Sequence, residues 1–489
     1  MVRVSPSPGA AAVRSHTSPI CGITKDERIG ANLVVKRKSR LFSLPVLCAL
    51  LLLTACDSGP SQPTPTSTST GSVSPAQATS PGQIGGETQS NTAAPTPQPQ
   101  VPGQPTPTLT VPPPKENLAL NPVPIETTDA TREGAFSQER TINLPPGFHI
   151  KVFAIGLRGV RWLGLSPDGL VYATVRKEGK VVTLPDADKD GVADSVNTFA
   201  DNLPGVHGLD FKDGAVYVAT EGEIIRLQDT DKDGAADKRE VLASDLPTGG
   251  GHSTRTIAFG PDGNLYVSVG STCNVCVEDD PKRAAILRYS AEGKFEKVYA
   301  KGLRNAVGIE FHPLTKRLWA TNNGRDNLGD DVPPETIYRV REDADYGWPY
   351  CYGDRVQDDT LSVPPGHCSK TGLPSVKIQA HSAPLGFTWY MGDQFPAQFK
   401  GDMFVALHGS WNRTVPVGYK VVRVRTYENQ PDLSHGDRMV EDFATGWFLG
   451  EDAFGRPVDL LTTPDGSLLL TDDKADAIYY IYYRENAGP

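Results

Sequence analysis

The sequence predicts an all-β fold, a six-bladed β-propeller preceded by a disordered linker rich in Pro, Thr and Ser. Three observations predict it. One turn motif occurs six times, the segments that follow it alternate apolar and polar residues, and helical periodicity is weak throughout. The copies are Leu165-Ser-Pro-Asp-Gly-Leu-Val-Tyr172, Phe211-Lys-Asp-Gly-Ala-Val-Tyr217, Phe259-Gly-Pro-Asp-Gly-Asn-Leu-Tyr266, Phe311-His-Pro-Leu-Thr-Lys-Arg-Leu-Trp319, the degenerate Phe399-Lys-Gly-Asp-Met-Phe404, and Thr463-Pro-Asp-Gly-Ser-Leu-Leu469. Asp-Gly between two alternating segments is a strong hairpin signal. Residues 136–489 number 354, about 59 per copy, a length that suits four-stranded blades with long loops. A sandwich also has short strands and regular turns, but it does not normally repeat one turn motif in this way.

Ahead of the repeats lies an address. Lys36, Arg37, Lys38 and Arg40 precede the apolar run Leu41 to Leu53 and then Thr54-Ala55-Cys56, the basic and apolar regions of a signal peptide too short for a comfortable membrane span. The ending Leu53-Thr54-Ala55-Cys56 resembles a bacterial lipobox, so Cys56 is expected to be diacylated and to tether the chain to the extracytoplasmic side of the cell membrane. A plain signal peptide with a chance cysteine is the alternative. Residues before Lys36 fit no export signal, which points to translation starting near Leu33, Val34 or Val35. Residues 57–135 carry Pro-Thr-Pro repeats and almost no bulky apolar side chains. They cannot bury enough surface to offset chain entropy and are expected to be an extended linker. The expected organisation is thus signal peptide with lipobox over 1–56, linker over 57–135, and propeller over 136–489.

A formal net charge of −10 leaves no basic footprint. That argues against nucleic acid as the main partner and keeps small neutral ligands open. Four cysteines follow Cys56, and an even number in an exported chain reads as disulfides, Cys273 with Cys276 and Cys351 with Cys368. A redox-active Cys273-Asn-Val-Cys276 would need a strand-to-helix context that is missing, and the spacing is wrong for the usual zinc knuckles. Two loops are built alike, with Asp186, Asp188, Asp190 and Asp194 in one and Asp229, Asp231, Asp233 and Asp237 in the other, starting 43 residues apart. Alternate carboxylates around a Gly turn converge on a hard cation, as in the first half of an EF-hand loop. Glu240 takes the twelfth position of the second loop and Asn197 that of the first, so one loop lacks a bidentate anchor. Calcium here would rigidify loops, and solvated acidic hairpin tips are the bland alternative.

The residues suited to chemistry lie beside the repeats. Gly249-Gly-Gly-His252-Ser-Thr-Arg255 opens a glycine run onto an imidazole, a group that titrates near neutrality and suits a general base. A lone loop histidine is more often structural. Gly302-Leu-Arg304-Asn305 leads into the fourth repeat, His408-Gly-Ser-Trp411-Asn412-Arg413 follows the fifth, and Gly455-Arg456-Pro457-Val458-Asp459 leads into the sixth. Guanidinium groups converging on one channel repel each other unless an anion lies between them, and a planar polycarboxylate suits their bidentate forks. Salt bridging between blades accounts equally well for any single one.

These motifs, together with Asp345-Tyr-Gly-Trp-Pro349 and Gly418-Tyr-Lys-Val421, occur in an order that resembles the soluble PQQ-dependent glucose/sorbosone dehydrogenases, including the aldose sugar and pyranose dehydrogenase propellers, over residues 140 to 485. The resemblance implies a pyrroloquinoline quinone (PQQ) on the propeller axis and oxidation of an aldose or related sugar aldehyde at C1. Hydride passes to C5 of the quinone and the electrons go on to a membrane quinone or a cytochrome. It implies that His252 takes the proton from the anomeric hydroxyl, that Arg304 with Asn305 stabilises developing negative charge, and that Arg161, His408, Arg413 and Arg456 hold the cofactor, with Trp411 lining the pocket. It also implies calcium near the cofactor, with Asp326, Asp330, Asp331 and Glu335 as candidate donors. One departure is Val458, where the glucose-type enzymes carry a second arginine; it favours the sorbosone and aldose branch. Two readings compete: a non-enzymatic extracytoplasmic binding propeller, and a metal-dependent lactonase that would leave the histidine and arginine loops without a purpose.

Overall fold

Each of the six turn motifs closes the hairpin between the first two strands of a four-strand set. The structure, a computed structural model, describes residues 118–427, 430–431 and 439–485. The signal peptide, Cys56 and the linker up to residue 117 lie outside the described residues. The Asp213–Gly214 turn has both residues at positive φ, 50° and 74°, the hairpin geometry that matches strand twist. In the Pro-Asp-Gly copies the chain instead makes a turn such as Gly169 N–H to Ser166 O at 2.9 Å, with only Gly169 left-handed.

Four sets stand as separate sheets. The first runs Val160–Leu165, Val171–Val175, Lys180–Leu184, Asn197–Ala200, and the second Gly208–Lys212, Ala215–Ala219, Ile224–Gln228, Lys238–Ala243. The third runs Ile257–Phe259, Leu265–Val269, Ala285–Tyr289, Phe295–Lys301 with Ala344–Asp345 added at its edge, and the fourth Ile309–Phe311, Leu318–Asn322, Glu335–Arg339, Val376–Ile378. Apart from two small hairpins, Cys351–Tyr352 with Val356–Gln357 and Thr426–Tyr427 with Gln430–Pro431, the remaining strands join in one ten-stranded sheet. It contains the antiparallel run Pro384–Trp389, Met403–Leu407, Lys420–Val424, Val440–Thr445 and a second run Pro457–Thr462, Leu468–Asp472, Ala477–Tyr483, Phe148–Ile155. The first strands of successive sets pack against one another, and Pro457–Thr462 returns to Val160–Leu165, giving a propeller-like ring.

Burial explains the sequence texture. Second strands are covered on both faces by neighbouring sheets, and Ala215–Ala219, Leu265–Val269, Met403–Leu407 and Leu468–Asp472 are buried at every position. They therefore read as largely apolar runs rather than the expected alternation, with Ser268, Thr471 and Asp472 as buried polar exceptions. The fourth strand of the second set faces solvent, and Lys238–Ala243 is exposed over its first four residues.

Part of the segment assigned to the linker belongs to the fold. Asn121–Glu126 is a strand, antiparallel to Thr141–Leu144 and parallel to Phe148–Ile155 at Ile125 and Glu126, and it bridges the two runs of the large sheet. Phe148 locks this junction, with ring centroids 4.7 Å from Phe395, 5.2 Å from Phe399, 5.1 Å from Phe443 and 5.2 Å from Tyr483, all edge-on. Replacing Phe148 with Ala is expected to cost about 3–5 kcal/mol, read as a lower urea midpoint at unchanged slope.

Candidate functional site

In an antiparallel set, the start of the first strand and the end of the second lie at the same end of the sheet. His252, Arg304 and Arg456 precede first strands, while His408 follows a second strand and Asp473 another. All their loops therefore open at one end of the ring. There they enclose a cavity of about 290 Å³ lined by His252, Arg304, Asn305, Arg161, His408, Trp411 and Arg456, with Asp326 and Glu335 in its wall.

His252 is placed by main-chain groups. Arg255, fully buried, donates to the carbonyls of His252 (3.0 Å), Thr254 (2.8 Å) and Pro247 (2.5 Å), fixing the loop. A Cβ on Gly270 would come within 2.5 Å of the His252 Cβ, so only glycine leaves room for the imidazole. Nδ1 lies 2.9 Å from the Ser271 carbonyl and 3.0 Å from Ser271 Oγ, whose own proton goes to the Cys273 carbonyl at 2.7 Å. A carbonyl can only accept, so Nδ1 carries the hydrogen and Nε2 keeps its lone pair. Burial, reinforced by the positive charge of Arg304, pushes the imidazole down to about 4, which leaves it neutral at pH 7.

The cations come with their own counter-charges. Arg304, 5% exposed, gives Nη1 to the Gly324 carbonyl (2.7 Å), Nη2 to Asp326 Oδ2 (2.8 Å), and Nε to the Asn274 carbonyl (3.0 Å). Arg161 gives Nη1 to Asp473 Oδ2 (2.6 Å), and Asp473 Oδ1 bonds His408 Nε2 (2.8 Å). Burial raises the Asp473 carboxyl, but the His408 hydrogen bond and the Arg161 guanidinium outweigh it and hold it well below the usual range. His408 is pushed down to about 4 by burial and is neutral. Among the described residues, Arg456 hydrogen-bonds the carbonyls of His408 (3.0 Å) and Gly409 (2.9 Å), lies over the Tyr419 ring at 5.6 Å, and has no carboxylate partner. Burial lifts Glu335 to about 7, against the Gly324 and Ala383 N–H groups that bond its oxygens.

Other candidates lie elsewhere. Arg413 turns away from the cavity to the Asp330 carbonyl and to Asp331, 3.2 Å away, while the Asp330 carboxylate accepts from Thr414 N–H. Asp330 and Asp331 are thus separated from Asp326 and Glu335. Trp411 stands at the mouth, 75% exposed. Asp186, Asp188 and Asp190 bring carboxylate oxygens within 4.8 Å of one another, as do Asp229, Asp231 and Asp233. Asp194 and Asp237 instead accept from Ala187 N–H and Thr230 N–H as loop staples. Glu240 sits in Lys238–Ala243 directly across from Arg226 and pairs with it at 2.5 Å rather than closing the second loop. Both disulfides form as expected. Sequence reasoning missed Asp473, Asn274 and His381; the signal for Asp473 was its place, one residue past a second strand, which it shares with His408 and Asn323.

Among solved structures, the chain is similar to the holo form of the pyranose dehydrogenase PQQ domain from Coprinopsis cinerea (TM-score 0.61, 21% identity, covering 70% of this chain and 97% of that one). It is similar to a calcium structure of a Trichoderma reesei carbohydrate-active enzyme of family AA12 (0.61, 21%, 70% and 96%). It is also similar to the PQQ-bound aldose sugar dehydrogenase from Streptomyces coelicolor (0.50, 20%, 70% and 100%). These likenesses establish the propeller-like fold. In sequence, an uncharacterized protein of Borreliella burgdorferi is 37% identical over 48% of this chain and 61% of its own, and the PQQ-dependent pyranose dehydrogenase of Coprinopsis cinerea is 27% identical over 49% of this chain and 40% of its own. The chain thus spans less than two thirds of the length of these curated relatives. Residues 166–478 match the family described as a domain of unknown function, DUF7133, and the chain belongs to that family.

Proposed function

We propose that this protein is a PQQ-dependent sugar dehydrogenase, a six-bladed propeller if the ten-stranded sheet is counted as two blades, that oxidises an aldose or related sugar aldehyde at C1. The observation that carries the reading is the neutral imidazole of His252, its Nε2 free to accept a proton, lining the same cavity as Arg304, Asn305, Arg161 and Arg456. The residues fit the cofactor. Among the described residues, Arg161 Nε is buried without a partner, the Asn305 side-chain amide makes no hydrogen bond, and Arg456 has no carboxylate, so donors remain for a planar polyanion. Two of the arginines carry carboxylates of their own, so the anion adds to a partly balanced site rather than neutralising a bare cluster of cations.

When bound, the quinone supplies the acceptor for the electron pair that leaves C1. His252 Nε2 takes the proton of the anomeric hydroxyl as the C1–H bond breaks, and the sugar leaves as its lactone. Arg304, fixed by Asp326 and two carbonyls, holds positive charge at the cavity wall where negative charge develops. Arg456 and Arg161 orient the anion's carboxylates, and the exposed ring of Trp411 covers the mouth. The electron acceptor, a membrane quinone or a cytochrome, and a lipid anchor at Cys56 on the extracytoplasmic face belong to the same proposal. So does calcium in the loops starting at Asp186 and Asp229, whose clustered carboxylates support it.

Apo-protein supplied with PQQ and Ca²⁺ is expected to show dye-linked aldose oxidation, and His252→Ala to lower kcat by about a hundredfold to ten-thousandfold. Inactivity across a broad sugar panel despite bound PQQ would count against the reading, and failure to bind PQQ with the fold intact would favour a non-enzymatic binding propeller. Because His252 titrates at about 4 and acts unprotonated, its own protonation is expected to lower kcat/KM only toward pH 4, while Glu335, lifted to about 7, titrates separately; in Glu335→Gln, a fall centred near 6.5 would contradict this. Calcium added to chelator-treated protein is expected to raise Tm, an effect lost in the double variant Asp188→Asn with Asp231→Asn.

A further inference from the structure

The segment Ser271 to Cys276 touches both His252 and Arg304. Its carbonyls at Ser271 and Cys273 set the His252 tautomer, directly and through Ser271 Oγ, and the Thr272 carbonyl accepts from Gly251 N–H at 2.7 Å. Asn274 reaches the other side of the cavity. Its carbonyl accepts from Arg304 Nε (3.0 Å) and from Trp348 Nε1 (3.1 Å), and its side-chain oxygen accepts from Arg304 Nη2 (3.0 Å) and Asp326 N–H (2.7 Å). Its side-chain nitrogen donates to the Asp326 carbonyl at 3.1 Å. Asn274 has thereby satisfied two of the guanidinium's three nitrogens and both main-chain groups of the residue that pairs with it. The Cys273–Cys276 disulfide closes a short ring around Asn274, which restricts the backbone freedom that a loop residue would otherwise have.

We propose that Asn274, held in this ring, is a positioning residue that fixes Arg304 and Asp326 at the cavity wall, in register with His252. The amide oxygen is shared between the cation and the backbone of its counter-ion, so the pair moves as one body. A displacement of about 1 Å at a catalytic group is enough for a hundredfold loss of rate. The kinetic consequence rests on the dehydrogenase reading above; the structural one does not.

The test compares Asn274→Ala, Asn274→Asp and the double variant Cys273→Ser with Cys276→Ser in the full chain loaded with PQQ. Asn274→Ala keeps the main-chain carbonyl that receives Arg304 Nε and Trp348 Nε1, so the fold is retained. It is expected to lower kcat by about tenfold to a hundredfold with the sugar KM within about threefold, a split that a purely structural role would not produce. Asn274→Asp keeps the acceptor shared by Arg304 Nη2 and Asp326 N–H but sets a carboxylate oxygen against the Asp326 carbonyl, and is expected to recover kcat only in part. The double serine variant keeps Asn274 but opens the ring, and is expected to reproduce the loss. Crystal structures of the same variants give the second readout: in Asn274→Ala the Arg304 guanidinium is expected to leave its place between the Gly324 carbonyl and Asp326. If it stays there with kcat unchanged, or if Asn274→Ala lowers only Tm, the proposal is overturned. Should the parent protein oxidise no sugar, the functional reading fails alone, and the position of Arg304 in the variant still decides the matter.

Discussion

The pairing of Phe148–Ile155 with Ala477–Tyr483 holds the rest of the structure to account. Its register sets Phe148 against Tyr483 and Ile150 against Ile481, joining the two ends of the folded region across the last set of strands. In a propeller-like ring this pairing ties the first described strands to the last and leaves no open edge between them. Closure also fixes the site, because His252, Arg304, His408 and Arg456 stand on loops of different sets and share a cavity only while those sets surround one axis, with Asp473 bonded to His408. Asn121–Glu126 reinforces the seam by lying between the two runs of the large sheet.

Within the cavity, desolvation and pairing divide the labour. Burial keeps both histidines neutral, and it would be costly for the arginines were they not matched: Arg161 to Asp473 and Arg304 to Asp326. Breaking a buried pair by removing one partner is more damaging than never having built it, so these carboxylates are as much part of the site as the cations. What the site offers a ligand is therefore directional: a few unspent donors and one unpaired guanidinium, in place of a diffuse positive field.

The parts legible in the sequence were those encoded locally. Asp-Gly turns announce hairpins wherever they occur, and a glycine run beside His252 announces an imidazole with space around it. Cysteines three and seventeen residues apart were close enough to pair without knowledge of the fold. The misses depend on register between distant segments. Glu240 is lost to the second acidic loop because Arg226 lies opposite it on the next strand, and Arg413 is drawn off by Asp331, residues whose proximity no spacing reveals. Asn121–Glu126 was hidden by Pro122 and Pro124, which read as linker. Its pairing to Phe148–Ile155 is limited to Ile125 and Glu126, so those prolines owe no hydrogen to that neighbour.

The seam between the first and last strands also imposes an order in time. Phe148 meets Tyr483 only after the whole chain between them has been made, and contacts of such long range are slow to form because the intervening chain must first be gathered in. Individual hairpins can form as they are synthesised, yet the pocket cannot exist in any of them. It is complete only when the seam has closed, because only then do the loops of the first and last sets surround one space.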